Sequence, residues 1–220
     1  MTNEIVFIIT FLFLGTTILT AFKFGKHYLF ILSATFTIIC NSVLGIEFNA
    51  FGLTISWGVV IYSLIYLITD LLSEFFEKGS AYKATIINIA IQIFFCIYIA
   101  ISMKLIPTGN IIFYEHLKGL FSTTSRFTIA GIIASIGGFA DVYLYEWMKE
   151  KLHRFPLYIR NNLSTITGQA INSSVFFTIA LYGVVDNLIE IIISAILIKV
   201  FISILDTPFL YLAKMIDKRK

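Results

Sequence analysis

Apolar residues run along this 220-residue chain in long blocks, and polar residues gather between them. A helix that crosses a bilayer needs about 20 mostly apolar residues. Seven blocks reach that length, at 4–22, 27–46, 54–76, 82–104, 122–147, 160–183 and 187–214. The pattern predicts an all-α integral membrane protein, a seven-helix transmembrane bundle. The last block is long, and Pro208 near its end is expected to kink or break it. Glu47–Gly52, between the second and third blocks, reads as a short turn. The longest connection, 105–121, holds Pro107, Gly109, Asn110 and Gly119. No polar stretch is long enough for a soluble domain, so residues 1–220 read as one transmembrane domain.

Composition agrees with this pattern. Hydrophobic residues make up 58% of the chain and charged residues 13%, whereas soluble domains run near half apolar and about a quarter charged. The solvent for most of the surface is then lipid. Cys40 and Cys96 both fall in apolar blocks and read as small buried hydrophobes, not as a disulfide framework. The first block lacks the basic start and small-residue cleavage site of a signal peptide and is expected to be retained.

The net charge of +3 says less than the placement of the charges. With the N-terminus outside, the inside ends of the blocks carry twelve basic residues: Lys23, Lys26, Lys78, Lys83, Lys149, Lys151, Arg154, Arg160, Lys214, Lys218, Arg219 and Lys220. The outside ends carry Lys104 and Lys118. Basic residues favour the cytoplasmic side of short loops. The division therefore predicts seven spans, N-terminus outside and C-terminus inside, and six or eight spans would spoil the alternation. Trp57 and Trp147 fall near block ends, where aromatic side chains anchor at the interface. Blocks three, five and seven each carry an Asp in the inner third followed by aromatics: Asp70, Asp141 and Asp206. This is a faint internal echo of the repeats common in transporter folds.

A charge near the bilayer centre costs about 3 kcal/mol on insertion scales, so such residues pair, line water or bind something. Block three carries Asp70 and Glu74, one helical turn apart on one face. Block five carries Arg126 and Asp141. Block six carries Asn161, Asn162, Thr165, Gln169 and Asn172, and the last four of these form one stripe. Block seven carries Lys199, Ser203 and Asp206, also on one stripe. With the N-terminus outside, Asp70, Asp141, Gln169, Asn172, Lys199 and Asp206 fall between mid-membrane and the cytoplasmic side, so four helices supply polar groups at overlapping depths and substrate is expected to bind in the cytoplasmic half. Structural readings stand beside that one. Lys199 can neutralise Asp206 or Asp70, and the amide stripe can glue helices together. Glu74 and Glu146 can be solvated at the inner interface, Asp186 and Glu190 read as outer-end charges, and Arg126 can snorkel. Ala130, Ala134 and Gly138, with Gly131 and Ser135, form a small-residue ladder suited to tight packing. Gly137-Gly138 can also loosen the helix before Asp141.

No phosphate loop, HExxH or CxxC motif occurs. His27, His116 and His153 lie far apart without metal-ligand spacing, and no Ser/His/Asp arrangement is evident. The basic residues lack the aromatic interleaving of a nucleic-acid surface. Enzyme, metal, cofactor and nucleic-acid readings are therefore disfavoured, and ATP-driven work would need another subunit. A structural membrane subunit with buried ion pairs remains the alternative to a transporter.

Ile68-Thr69-Asp70-Leu71-Leu72-Ser73-Glu74 resembles the TDLxSE signature of the queuosine precursor transporter family, also called the vitamin-uptake-like family. Ser125-Arg126 leading to Asp141-Val142-Tyr143 is similar to its arginine-to-DVY helix. Arg160-Asn161-Asn162, Ser164-Thr165 and Gln169-Ala170-Ile171-Asn172-Ser173 resemble its RNNxST and QxIDT stretch. Lys199, Asp206-Thr207-Pro208 and Tyr211 resemble its K…DTPxxY ending. The matches run in order over 66–214. Three positions depart: Asn172 stands where the family has an Asp, Gly138 where a Gln often precedes DVY, and Glu77 where a Gly is common. These bear on the exact substrate, not on the architecture.

The resemblance implies a multi-spanning importer in the cell (inner) membrane without an ATPase domain. Its implied cargo is a 7-deazaguanine base: 7-cyano-7-deazaguanine, 7-aminomethyl-7-deazaguanine or queuine. The chemistry fits: a carboxylate can accept the paired N–H donors of a guanine-like edge, an amide can meet its carbonyl, and aromatics can stack on it. The expected substrate-binding residues are Asp70, Glu74, Asp141, Asn162, Gln169, Asn172, Lys199 and Asp206. The other partner is the lipid bilayer, and association of the chain with itself is left open.

Overall fold

A computed structural model describes residues 2–43, 46–106, 108, 112, 114, 115, 118, 124–152 and 155–217. The expectations on Pro107, Gly109, Asn110, Gly119, His116, His153, Arg154, Lys218, Arg219 and Lys220 lie outside the described residues. The order is α1 (Asn3–Phe24), α2 (Lys26–Val43), β1 (Glu47–Ala50), β2 (Leu53–Ser56), α3 (Trp57–Phe75), α4 (Ser80–Ser102), α5 (Thr124–Ala134), α6 (Ile136–Lys151), α7 (Leu157–Leu181) and α8 (Leu188–Ile216).

The helices follow the apolar blocks closely. Five courses are long and apolar enough to cross a membrane: α1, α3, α4, the stretch Ile129–Lys151 through α5 and α6, and α8. α2 and α7 have 18 and 25 residues. They fall below the same measure of apolarity because they carry Ser33, Thr37, Asn41, Asn161, Thr165, Gln169 and Asn172 within the bundle. Average hydropathy misses a helix whose polar stripe turns inward. α3 is the centre, with 83% of its apolar window buried, against 17% in α4 and 22% in α8. It packs on α2, α4, α6 and α8. Leu64, Leu67, Ile68, Leu71 and Leu72 are fully enclosed there. Phe94, Ile97, Tyr98 and Ile101 of α4, and Ile8, Ile9, Leu12 and Phe13 of α1, instead face outward. Outward apolar faces around a sealed central helix are what a lipid solvent demands.

The reading of Glu47–Gly52 as a turn is corrected: the segment is the first half of an antiparallel hairpin, β1 with β2, pairing Glu47 with Ser56 and Ala50 with Leu53. α3 accordingly starts at Trp57, not at residue 54. Phe51 and Gly52 make the turn with φ of 55° and 75°. A turn with both central residues at positive φ matches the twist of a hairpin, and glycine adopts it freely. Phe51 is held there by its ring contacts to Phe7 and Phe201.

Two helices behave differently from their sequence pattern. α8 runs through Pro208 without ending there. The fifth block is interrupted at Ser135, where α5 hands over to α6 with the Ser135 amide bonded back to Gly131 and Ile132. The interruption falls just before the Gly137-Gly138 pair. The small-residue ladder packs tightly: Ala130 and Ala134 are fully buried, and a Cβ at Gly137 would overlap the Gly168 carbonyl oxygen of α7.

At one end of the bundle Lys26 donates to both carboxylate oxygens of Glu77 at 2.8 Å. That hydrogen bond and the lysine charge hold the exposed Glu77 carboxyl below its ordinary range.

Candidate functional site

Asp70 projects from the enclosed face of α3 toward α6, α7 and α8. Its Oδ2 accepts from Thr165 at 3.0 Å. The same hydroxyl lies 3.3 Å from Asp141 Oδ1 on α6, and Thr69 lies 3.5 Å from Asp141 Oδ2. Thr165 thus bridges two carboxylates with one hydrogen to give. Asp206 of α8 faces Asn161, and neither of its carboxylate oxygens reaches hydrogen-bond geometry. Asp70 Oδ1 also lacks a partner. All three aspartates are fully buried. Among the described residues no cation lies within ion-pair distance of them, and the ion pairs involve other acids. The proximity of α6 and α7 that makes this cluster follows from Gly168, where a side chain would collide with Asp141.

Glu74 belongs to a separate arrangement. Arg160 donates to it at 3.1 and 3.3 Å, Tyr145 at 3.0 Å, and Lys149 lies 3.9 Å away. Lys149 also donates to the carbonyls of Ser73 and Glu74 at 2.6 and 2.7 Å. These contacts tie the end of α3 to α6 and α7. The solvated reading of Glu74 and Glu146 is corrected: Glu146 is buried and accepts from the Gly79 amide at 3.2 Å, at the start of α4. Arg126 does not only reach for solvent. It donates to the Ile179 and Tyr182 carbonyls at 2.8 and 2.7 Å, covering the end of α7. Asp186 and Glu190 are exposed, as expected.

The amide stripe of α7 has three destinations. Asn162 donates to Thr207 and accepts from Ser203, both at 3.1 Å, which joins α7 to α8. Gln169 accepts from Ser63 at 3.4 Å and leaves its Nε2 without a partner. Asn172 holds Lys199. The lysine Nζ donates to Asn172 Oδ1 at 3.0 Å and lies 5.0 Å from the centroid of the Tyr62 ring, a cation–π arrangement. Asn172 Nδ2 donates to Tyr62 Oη and to the Ala134 carbonyl, both at 2.9 Å. That carbonyl belongs to the end of α5, where the helix is interrupted. The structural alternative, in which Lys199 neutralises Asp206 or Asp70, is corrected: its partner is a neutral amide.

Beside Lys199 lies a small cavity with a free volume of about 40 Å³, room for a few water molecules. Thr37, Cys40 and Asn41 of α2, Gly58, Val59 and Tyr62 of α3, Gln92 of α4, Gly131 of α5, Asn172, Phe176 and Phe177 of α7 and Lys199 of α8 line it. A second cavity, of about 30 Å³, adjoins it and shares Thr37, Tyr62 and Gln92. Read by depth alone, the sequence places the polar groups together. The structure separates them into the cavity, with Asn172 and Lys199, and the acid cluster, with Asp70, Asp141 and Asp206. Asp70 lies about 12 Å further along α3 than Tyr62. Sequence reasoning missed Thr37, Asn41, Tyr62 and Gln92. A usable signal was present, since Thr37 and Asn41, and Asn88 and Gln92, are polar pairs four residues apart in otherwise apolar blocks. Chemically, the cavity offers aromatic faces for a flat ligand, amide groups that both donate and accept, and an amine that donates.

Compared with known proteins, residues 56–213 match the family described as "Putative vitamin uptake transporter". The chain is also similar to a Bacillus subtilis (strain 168) protein named "Probable queuosine precursor transporter". The two are 29% identical over 198 residues, covering 87% of this chain and 85% of that protein. No solved structure matches.

Proposed function

This chain belongs to the vitamin uptake transporter family, and we propose that it imports a queuosine precursor base across the cell (inner) membrane for salvage into tRNA modification. It is a multi-pass membrane protein and a transporter, not an enzyme. The name of the Bacillus subtilis relative supports the cargo class. In this reading the cargo is 7-cyano-7-deazaguanine, 7-aminomethyl-7-deazaguanine or queuine. Residues 1–220 form one transmembrane domain of seven spans, with the N-terminus outside and the C-terminus inside.

The observation that carries the reading is the cavity beside Lys199, buried within the bundle and lined from six helices. A non-transporting subunit needs buried charges in pairs that fix helix register, and Glu74 with Arg160 is such a pair. Lys199 is not, because it faces a cavity with only a neutral amide to hold it. Aromatic walls with a few fixed polar groups are the usual lining of small-molecule sites; at about 40 Å³ the cavity is closed down, and rocking of the helices would open it to the cargo.

Asn172 and Lys199 would touch the cargo, with Tyr62 stacking on it, and Gln169, buried against Ser63, would stand behind the cavity wall. Asp70, Asp141 and Asp206 would work behind the cavity, in a secondary-type cycle in which helices rock about the site. The interruption at Ser135 supplies a place for such movement, because Asn172 binds the carbonyl exposed there. Glu74 and Asn162 would hold helices in place. Uptake of a labelled 7-deazaguanine base into cells lacking their own importer tests the proposal. Expression of this chain is expected to restore accumulation. No accumulation with the protein present in the membrane, or full uptake by an Asp70→Ala/Lys199→Ala variant, would overturn the function or the site respectively.

A further inference from the structure

Lys199 is the one charged side chain among the described residues that line the cavity. We infer that the cavity takes a neutral, carbonyl-bearing flat heterocycle and discriminates against one that carries an ammonium group. The inference rests on the transport reading above and narrows its cargo.

Three observations carry it. First, Lys199 is buried, has no carboxylate within ion-pair distance among the described residues, and is held by the Asn172 carbonyl oxygen at 3.0 Å. Its donor capacity exceeds the single acceptor supplied, since an ammonium has three hydrogens to give. A ligand carbonyl or nitrile nitrogen would use a second one. Second, the neutrality of Asn172 is built into the packing. Both hydrogens of its Nδ2 are committed, one to Tyr62 Oη and one to the Ala134 carbonyl, each at 2.9 Å. A carboxylate at that place would set an acceptor oxygen against the Ala134 carbonyl, and that bond would be lost. Third, the buried aspartates are engaged or enclosed elsewhere. Asp141 and Asp70 meet at Thr165, and none of the three lines either cavity.

A cationic substituent would therefore enter a low-dielectric space beside Lys199 with no acid to receive it. Burial of an unpaired charge is costly, and a like charge nearby adds to the cost. The uncharged walls suit a base instead. Asn41 donates to the Thr37 carbonyl at 3.0 Å and accepts from Gln92 Nε2 at 3.5 Å, which orients the Gln92 amide on the cavity wall as a group that can both donate to and accept from a guanine-like ring.

The test compares uptake of 7-cyano-7-deazaguanine with that of 7-aminomethyl-7-deazaguanine, whose substituent is an ammonium at neutral pH. The host cells lack their own importer and express the full chain. The nitrile-bearing base is expected to be favoured in kcat/KM by about tenfold or more, an effect of about 1.4 kcal/mol. Two acid-introducing variants extend the test: Asn172→Asp, which sets a carboxylate against Lys199, and Gln92→Glu, which adds one to the cavity wall while keeping its shape. Either variant that reaches the membrane is expected to shift the preference toward the aminomethyl base. Equal or better uptake of the aminomethyl base by the unaltered chain overturns the inference and leaves the transport reading standing. So does an unchanged preference in a variant that still transports. Uptake of neither base, with the protein in the membrane, overturns both.

Discussion

Lys199 donates to a neutral amide and lies against a tyrosine ring, whereas Glu74 meets a guanidinium, a phenol and a nearby ammonium. Both are charges inside the bundle, but removal should have opposite consequences. Lys199→Met removes a buried charge that has no counter-ion and fills its place with apolar atoms of similar length. Such replacements are often neutral or stabilising. Base uptake is expected to fall at least about tenfold, a loss of about 1.4 kcal/mol, while the thermal midpoint in detergent stays level or rises. Glu74→Gln leaves Arg160 buried with a neutral partner. It should lose on the order of 3 kcal/mol of stability, read as a lower thermal midpoint, with uptake falling only as far as the amount of folded protein does. At this scale the sequence was a good guide to which residues are unusual, because a charge in an apolar block stands out. It was a poor guide to what they touch. Nothing in the spacing of Lys199 distinguishes an aspartate on a facing helix from an asparagine there. Tyr62 did not stand out at all, because one amphipathic side chain in an apolar block is unremarkable until the helix is turned toward a cavity, and Gln92 was legible only through its i,i+4 pairing with Asn88.

The helices are legible because burial in lipid demands long apolar runs, and those runs are visible as such. Their interruptions are less so. The hairpin at 47–56 was hidden because Leu53, Thr54 and Ile55 continue smoothly into the apolar pattern of α3, and short apolar runs do not distinguish strand from helix. The break at Ser135 depends on an acceptor being satisfied from another helix, by Asn172, which local sequence does not encode. The small residues before Asp141 were recognised as a packing ladder, but the partner glycine at 168 was not, since it becomes informative only when α6 and α7 are set face to face. That seam gives an element-scale prediction. Gly137→Ala places a methyl against the Gly168 carbonyl and the Asn172 backbone, and Gly168→Ala places one against Asp141. Neither obstacle is a flexible side-chain tip, so the helices must separate. Each variant should cost about 1–3 kcal/mol as overpacking does, seen as a lower thermal midpoint. Both should also lower uptake per folded molecule, because the same seam positions Asn172 and Asp141. Uptake per folded molecule unchanged by both would detach the seam from the site.

At the scale of the whole molecule, the cavity and the acid cluster stack along α3, with the cavity nearer the hairpin and the aspartates nearer the end that Glu74 secures. That order acquires a direction only when the bundle is oriented in its membrane, and the orientation rests on the distribution of basic residues. If the N-terminus is outside, the hairpin and the turn between α7 and α8 face outward, and the cavity, lined by Gly58, Val59 and Tyr62 at the hairpin end of α3, lies toward the outer side and not in the cytoplasmic half where depth along the sequence put the binding groups. Lys26, Lys78, Lys83, Lys149, Lys151 and Arg160 then face the cytoplasm, as the positive-inside rule requires. Single reporter cysteines in a cysteine-free background, with Cys40 and Cys96 replaced, decide this. Asp186 and Lys151 are both exposed and sit at opposite ends of the α7 course. Asp186→Cys should react with a membrane-impermeant maleimide in intact cells. Lys151→Cys should react only after permeabilisation. The reverse pattern would invert the bundle and place the cavity on the cytoplasmic side. Labelling of both sites from outside would remove α7 as a span and with it the seven-helix count. The expected pattern also makes a kinetic demand. Because the outward-facing site meets cargo first, a bulky maleimide adduct at Thr54→Cys, on the hairpin, should slow uptake more than one at Lys214→Cys near the far end of α8.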